Sequence, residues 1–290
     1  MNFLGLEPVF SDYKKSKIVI QSLPYEGTVS YTPGASEGPR AIIHASRFLE
    51  DFDDEQKHSF AGFGIHTLPF LNPPKKHSPP EPYIRRVYEQ TRKLLRDRKF
   101  VISLGGEHSV SAGIIWAYAE KFPKLTVLHL DAHGDLRDEY EGSAFSHACP
   151  MRRVADRVKT VHAGVREISR DQWEFIRKKK LKVLFAYEIH RMPRKKWIQQ
   201  VVNALGPEVY ISLDTDVLDP SEMPSTGTPE PGGLTYVELI DLLREVARRK
   251  QVVGFDLVEL APHPEFVFPD YTAARIVYKL ITFVFGTSHK

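Results

Sequence analysis

The residues able to do chemistry in this chain gather in three short segments. The densest is His129-Leu-Asp131-Ala-His133-Gly-Asp135. It follows an apolar, β-rich run, so its polar residues fall at the carboxyl end of a strand, where α/β proteins bind ligands. In extended chain, residues i, i+2 and i+4 project to one side, and Asp131, His133 and Asp135 can converge on one point. Two carboxylates and an imidazole packed together carry repulsion and desolvation costs that a divalent cation removes. The second segment, Asp214-Thr-Asp216, repeats the i, i+2 pair after the run Val209–Leu213. Asp219, before Pro220, reads as a turn residue. The third, Gly105-Gly106-Glu107-His108-Ser109, follows Val101–Leu104. Its paired glycines allow a tight strand-to-helix turn with the backbone close to a ligand, and His108 opens the next helix.

Taken singly, each segment also fits a plain structural role, as a solvated polar loop or a buried, hydrogen-bonded histidine. Together they supply His108, Asp131, His133, Asp135, Asp214 and Asp216 from three strand ends. This mixed nitrogen and oxygen set is too large for one tetrahedral zinc. It suits a pair of harder divalent ions bridged by carboxylates, with manganese the best match. Two such ions about 3.5–4 Å apart activate a shared water as hydroxide, so the pattern points to metal-assisted hydrolysis.

The elements that must position these residues alternate. Apolar runs predict strands at Lys17–Leu23, Phe100–Leu104, Leu125–Leu130, Thr160–Val165, Lys182–Phe185, Val209–Leu213 and Val252–Leu257. Several are nearly continuous, as strands buried on both faces are. Helical patterns predict Pro39–Glu50, Pro82–Arg98, Val110–Lys121, Asp171–Lys179, Pro193–Leu205, Tyr236–Arg248 and Tyr271–Phe285. Thr235 with Glu238 forms a capping-box pattern before the sixth of these. The alternation predicts an α/β fold, a mostly parallel sheet covered by helices on both faces. The proline-rich segment Pro69–Pro82 reads as a surface loop, and residues 1–290 as a single domain.

Composition narrows the class. In 290 residues, 40 Lys+Arg stand against 37 Asp+Glu, a net charge of +3, with 42% hydrophobic and 27% charged residues. Disorder is excluded on these numbers. The single cysteine, Cys149, excludes an intramolecular disulfide framework and a Cys-based structural zinc site, and it fits a reducing compartment. No apolar run approaches the roughly 18–20 residues of a membrane span, and Met1–Ser11 does not read as a secretory signal. The basic clusters Arg177–Lys180 and Arg191–Lys196 lack interleaved aromatics and read as solvated helix ends. The expectation is a cytoplasmic protein with neither membrane nor nucleic acid as partner.

The same motifs resemble the signatures of the arginase/agmatinase (ureohydrolase) family. Those that carry the resemblance are Gly105-Gly-Glu-His-Ser109, Asp131-Ala-His-Gly-Asp135, Ser212-Leu-Asp-Thr-Asp216 with Asp219-Pro220, and Thr226-Gly-Thr-Pro-Glu-Pro-Gly-Gly233. Phe255-Asp-Leu-Val-Glu-Leu260, and Pro24-Tyr-Glu-Gly-Thr-Val-Ser-Tyr31 with Gly38-Pro-Arg40, resemble the family's last and first motifs. The resemblance implies a three-layer α/β/α domain and the release of urea from a guanidino compound. It implies two manganese ions per subunit. His108, Asp131, Asp135 and Asp214 would hold one, and His133, Asp131, Asp214 and Asp216 the other, with Asp131 and Asp214 bridging. By position Glu259 would pair with the guanidinium and His147 would give a proton to the leaving amine. With Asp135 these are the expected catalytic residues. A Cys149/His147 nucleophilic pair would leave the metal-type residues without purpose, so Cys149 reads as a packed thiol. The resemblance also implies a homotrimer or homohexamer.

The segment Leu136-Arg-Asp-Glu-Tyr-Glu-Gly142 resembles agmatinase-type members of the family. Asp138, Glu139 and Glu141 suit a cationic tail, which implies a small cationic guanidino substrate. Agmatine is favoured, giving putrescine and urea in polyamine biosynthesis. Its aminopropyl derivative, on the way to spermidine, guanidinobutyrate and formiminoglutamate are the alternatives. Ser225 departs from the glycine usual before Thr-Gly-Thr-Pro and leaves the shape of that loop open.

Overall fold

Long runs of Val, Ile and Leu bounded by polar turns have no stable place except between two layers of helix. The computed structural model, which describes residues 2–73, 75 and 78–286, places them there. β1 (Ile18–Leu23), β2 (Ile65–Thr67), β3 (Phe100–Gly105), β4 (Leu125–Leu130), β5 (Lys159–Val165), β6 (Lys182–Phe185), β7 (Glu208–Asp214) and β8 (Gln251–Val258) form one sheet. Its order is β2-β1-β3-β8-β7-β4-β5-β6, and every adjacent pair is parallel. The central strands β3, β8, β7 and β4 are adjacent, so their carboxyl ends form one short line.

Helices cover both faces. α2 (Gly38–Ser46), α8 (Arg194–Ala204), α9 (Tyr236–Arg249) and α10 (Phe268–Gly286) pack on the face that carries Ile20, Ile102, Leu128 and Ile211. α3 (Pro80–Arg96), α4 (Val110–Lys121), α5 (Pro150–Ala155) and α6 (Arg170–Lys179) pack on the face that carries Val19, Val101, Val127 and Tyr210. The architecture is the expected three-layer α/β/α sandwich. Thr235 caps α9 with Glu238 in a reciprocal box, as its sequence predicts. The short edge strand β2 and the short helices α1 (Pro8–Ser11), α5 and α7 (Ala186–His190) were not foreseen. Each is too brief to show a hydrophobic period. The described residues of the proline-rich stretch are irregular up to Pro79, but α3 begins at Pro80 because proline is tolerated in a first helical turn. Pro74, Lys76 and His77 lie outside the described residues.

One buried ion pair ties the ends of the chain together. Lys279 of α10 lies 2.8 Å from Asp53, and both are buried. Asp53 also accepts from the backbone N–H of Glu55 and Gln56. Burial raises the Asp53 carboxyl, but the Lys279 ammonium and these N–H groups outweigh it and hold it below the ordinary value. Its contribution is therefore present above the unfolded-state pKa and is lost as pH falls through the folded one. Lys279→Met strands the carboxylate and is expected to lower stability by about 3–5 kcal/mol, read from urea unfolding at neutral pH. The deficit should shrink as the pH falls through the folded pKa of Asp53.

Candidate metal centre and active site

Strand geometry delivers the expected cluster. His108 follows β3 through Gly105-Gly106, where the chain turns so tightly that a Cβ on Gly106 would lie 2.0 Å from the Tyr25 carbonyl oxygen. Asp131 and His133 follow β4, Asp214 ends β7, and Asp216 lies two residues beyond it in a single 3-10 turn. His108 Nδ1 lies 3.1 Å from an Asp131 oxygen and 3.2 Å from oxygens of Asp135 and of Asp214. His133 Nδ1 lies 2.9 Å from Asp216 and 3.4 Å from Asp131. All six residues named from the sequence are thus brought together, in two overlapping groups that share Asp131.

The backbone holds the carboxylates in place. Ala132 N–H donates to Asp216, Asp216 N–H to Asp214, and His133 N–H to Asp131, at 3.0, 2.9 and 2.5 Å. Asp135 and Glu259 adopt left-handed backbone, with φ of 51° and 64°. A non-glycine residue there stores about 1–3 kcal/mol of strain, and such strain collects at functional sites.

The electrostatics of the cluster call for a cation. Burial raises the Asp214 carboxyl, and repulsion from Asp216 and Asp131 pushes it well above the carboxylate range. Burial opposes charge on His108, yet Asp131, Asp135 and Asp214 hold the imidazole well above the histidine range. His108 Nδ1 and the Asp131 oxygen nearest it are both fully buried and complete no hydrogen bond. An imidazole nitrogen at one distance from three carboxylates can donate to one of them at most. On its other side, His108 Nε2 is 3.0 Å from Ser212 Oγ, which donates to Asp256. Ser212 therefore accepts from Nε2–H, and once the ring is neutral it is the lone pair of Nδ1 that faces the carboxylates. The donor set and the orphaned atoms fit a divalent metal.

A cavity opens onto this cluster. Besides His108, His133, Asp135, Asp214 and Asp216 it is lined by Glu259 and His147, the two other residues expected to act there. Glu259 follows β8, and its carboxylate accepts from His108 N–H at 2.6 Å. Burial, and then repulsion from Glu107, raise the Glu259 carboxyl well above its ordinary value. His147 is placed by a contact not foreseen. Glu107 accepts from Gly27 N–H, Thr28 N–H, Thr28 Oγ1 and Ser109 Oγ at 2.6–2.8 Å. Thr28 Oγ1, so oriented, accepts from His147 N–H at 3.0 Å and lies 3.2 Å from His147 Nδ1. The third residue of the Gly-Gly-Glu-His turn thus anchors the first motif of the chain against the histidine. The first motif had the right residues, but nothing local in the sequence links Thr28 to a residue more than a hundred positions away.

The carboxylates expected to face the substrate tail do not. Asp138, Glu139 and Glu141 are exposed and none lines the cavity. Asp138 is instead paired with Arg153 and Arg152. The acidic residue in the outer cavity is Glu167, 3.3 Å from His133 Nε2. Glu230 lies beside it, its carboxyl raised by burial and by Glu167. Arg166 fixes that corner, donating to the carbonyls of Glu230 at 2.7 Å and Asp216 at 2.6 Å. Arg137 also lines the cavity, but it lies 5.0 Å over the Tyr140 ring and 3.7 Å from Asp171. Ser225 is buried, and its carbonyl accepts from Ala261 N–H, which closes its loop beside Glu259. Asp219 accepts from Ser221, Gly232 and Gly233, as a turn residue does. Cys149 is a packed thiol raised to about 11 by burial.

This fold and this cluster are those of a metal-dependent hydrolase of the arginase type. A family model described as "Arginase family" matches residues 16–282, and the chain belongs to that family. It is 40% identical over 280 residues to N(1)-aminopropylagmatine ureohydrolase of Thermus thermophilus, covering 93% of this chain and 90% of that protein. It is 37% identical over 259 residues to agmatinase of Bacillus cereus, covering 86% and 85%. The crystal structure of agmatine ureohydrolase of Thermoplasma volcanium matches with a TM-score of 0.88 at 28% identity, over 97% of this chain and 94% of that one.

Glu107→Gln presents an amide N–H₂ to donors that need an acceptor. It is expected to lower kcat at least tenfold while metal content, read by elemental analysis, stays at the wild-type value.

Proposed function

We propose that this chain is a binuclear manganese ureohydrolase that converts agmatine to putrescine and urea, a step of polyamine biosynthesis. The observation that carries the reading is His108 Nδ1, buried and 3.1–3.2 Å from carboxylates of three different residues. His108, Asp131, Asp135 and Asp214 would hold one ion. His133, Asp131, Asp214 and Asp216 would hold the second. Bound there, the ions acidify water and so supply a nucleophile at neutral pH.

The chain's own residues do the rest. Glu259 offers paired acceptors to the guanidinium and fixes its plane above the cluster. Attack by the water oxygen on the guanidinium carbon is followed by cleavage of its bond to the substituted nitrogen. That nitrogen leaves as an amine and must gain a proton, which His147, on the cavity wall, would give. The products are urea and an alkylammonium. Glu167, with Glu230 behind it, sets a negative field in the outer cavity that favours a cationic tail over a carboxylate. The Thermus thermophilus relative supports a second reading, in which the tail carries an aminopropyl extension. Exposed Phe48, Phe52, Val267 and Phe268 would provide apolar surface for a homotrimer or homohexamer. Among the described residues no helix is long and apolar enough to cross a membrane. Action in the cytoplasm belongs to the same proposal.

Urea release from agmatine, aminopropylagmatine, arginine and guanidinobutyrate after manganese loading tests the whole. One of the two amines is expected to lead both carboxylate-bearing substrates by at least about a hundredfold in kcat/KM, or roughly 2.8 kcal/mol. No urea from any guanidino compound overturns the reading. Asp216→Asn is expected to keep one manganese, lose the second, and reduce turnover by orders of magnitude, with metal counted directly. Glu167→Gln is expected to narrow the preference for a cationic tail, mainly through KM.

A further inference from the structure

Beneath the cluster the sheet carries a row of polar residues where an apolar core would pack as well. Asp131 and Asp214 lie two residues beyond His129 and Ser212, which are partners in register on β4 and β7. His129 is also the register partner of His162 on β5. A period of two puts His129 on the same face as Asp131, one layer deeper. His129 and His162 are fully buried and Thr160 nearly so. His129 Nδ1 lies 2.9 Å from His162 Nδ1, and His162 Nε2 lies 2.9 Å from Thr160 Oγ1. At the other end His129 Nε2 lies 2.9 Å from Asp131 Oδ2, a close buried contact in which neither atom completes a hydrogen bond.

Counting hydrogens gives this row a direction. An ionised carboxylate only accepts, so His129 must carry a proton on Nε2. A neutral imidazole protonated there has a bare Nδ1, and His162 must fill it with its own Nδ1–H. His162 Nε2 is then an acceptor, and the Thr160 hydroxyl donates to it. Burial also favours a neutral His162. With His129 neutral each hydrogen has one place, and donation runs from Thr160 to His162 to His129 to the accepting Asp131.

We propose that this chain of donors positions Asp131 for metal binding, with His129, His162 and Thr160 as positioning residues. None of the three lines the cavity. The proposal rests on the reading above, in which Asp131 would help to hold both ions. It assigns a role to residues that the hydrolytic chemistry does not touch. Losing the donor from His162 leaves His129 free to turn over to its other tautomer, and Asp131 Oδ2 then faces a bare nitrogen in place of the Nε2–H beside it. Outer partners of metal ligands typically change affinity or activity by about 10–100-fold when removed.

The test compares three variants with wild type as full-length protein. Free manganese is read by electron paramagnetic resonance, and unfolding is followed without metal. His162→Leu keeps an apolar filler but no donor. Its metal-free melting temperature is expected within a few degrees of wild type, its manganese affinity about 10–100-fold weaker, and its kcat lower at unchanged KM. His162→Gln has an amide that can donate to His129 and accept from Thr160, and it is expected to recover most of the affinity. Thr160→Val is expected to lose less, in the same direction, and it serves if the leucine variant does not fold. Wild-type affinity in both His162→Leu and Thr160→Val overturns the proposal, as does a His162→Gln variant no better than His162→Leu. If wild type binds manganese and releases urea in that case, only this inference falls. A wild-type protein that binds no manganese overturns the functional reading and this one with it.

Discussion

Everything at this site depends on holding four acidic side chains within a few ångströms of one another in a place shielded from water. Asp131, Asp135, Asp214 and Asp216 are all nearly inaccessible to solvent. Like charges so close cannot all be ionised without compensation. The two imidazoles among them supply some, at the cost of taking up protons themselves. A pair of divalent cations would supply all of it and free the imidazole lone pairs to bind. The parallel sheet makes such crowding possible. Its strands end together, and a residue at each carboxyl end needs no side-chain flexibility to reach the common point. Strand β8, set between β3 and β7, brings Glu259 to the same place from a part of the chain more than a hundred residues beyond His108.

The surrounding structure resists the relaxation that repulsion would cause. Backbone N–H groups donate to Asp131, Asp214 and Asp216, and these donors belong to turns whose conformations are set by the strands before them. Asp135 and Glu259 hold left-handed backbone that asparagine or glycine would adopt with less strain. Asp135 has its carboxylate in the cluster, and Glu259 turns its own toward His108 N–H. Strain at two such positions is stable only because the flanking sheet over-determines them.

The parts of this arrangement legible in the sequence were those with a short period. Asp131, His133 and Asp135 could be read as convergent because alternation in a strand is strict, and the structure brings them to one cluster with His108, Asp214 and Asp216. The buried strands β1, β3, β4 and β7 were equally plain, being apolar on both faces. What escaped was set by contacts across the fold. Glu107 looked like one polar residue in a glycine turn, and its four donors come from Gly27, Thr28 and Ser109. The edge strand β2, of three residues, is held by pairing with β1 and has too little sequence to show alternation. The outer cavity was misread for the same reason. Asp138, Glu139 and Glu141 follow the metal-type motif directly, and closeness along the chain suggested closeness in space. Instead, the chain turns outward after Asp135, and Arg152 and Arg153 of α5 take up Asp138.

That correction changes the physical basis of tail recognition while leaving its sign unchanged. Charge on an exposed loop is screened within about 8–10 Å at physiological salt and discriminates weakly between substrates. Glu167 lies in the cavity next to His133, and its neighbour Glu230 is held by the Arg166 guanidinium through main-chain carbonyls rather than neutralised at its carboxylate. The Glu167 side chain is itself 60% exposed, so its advantage over Asp138, Glu139 and Glu141 is its shorter distance to a tail lying in the cavity. The same corner carries His133, so in the proposed reading the group that would read the tail and the group that would hold an ion are one contact apart. Substrate preference and metal retention would then be coupled through a single imidazole. A change at Glu167 made to alter one will be felt, to some degree, in the other.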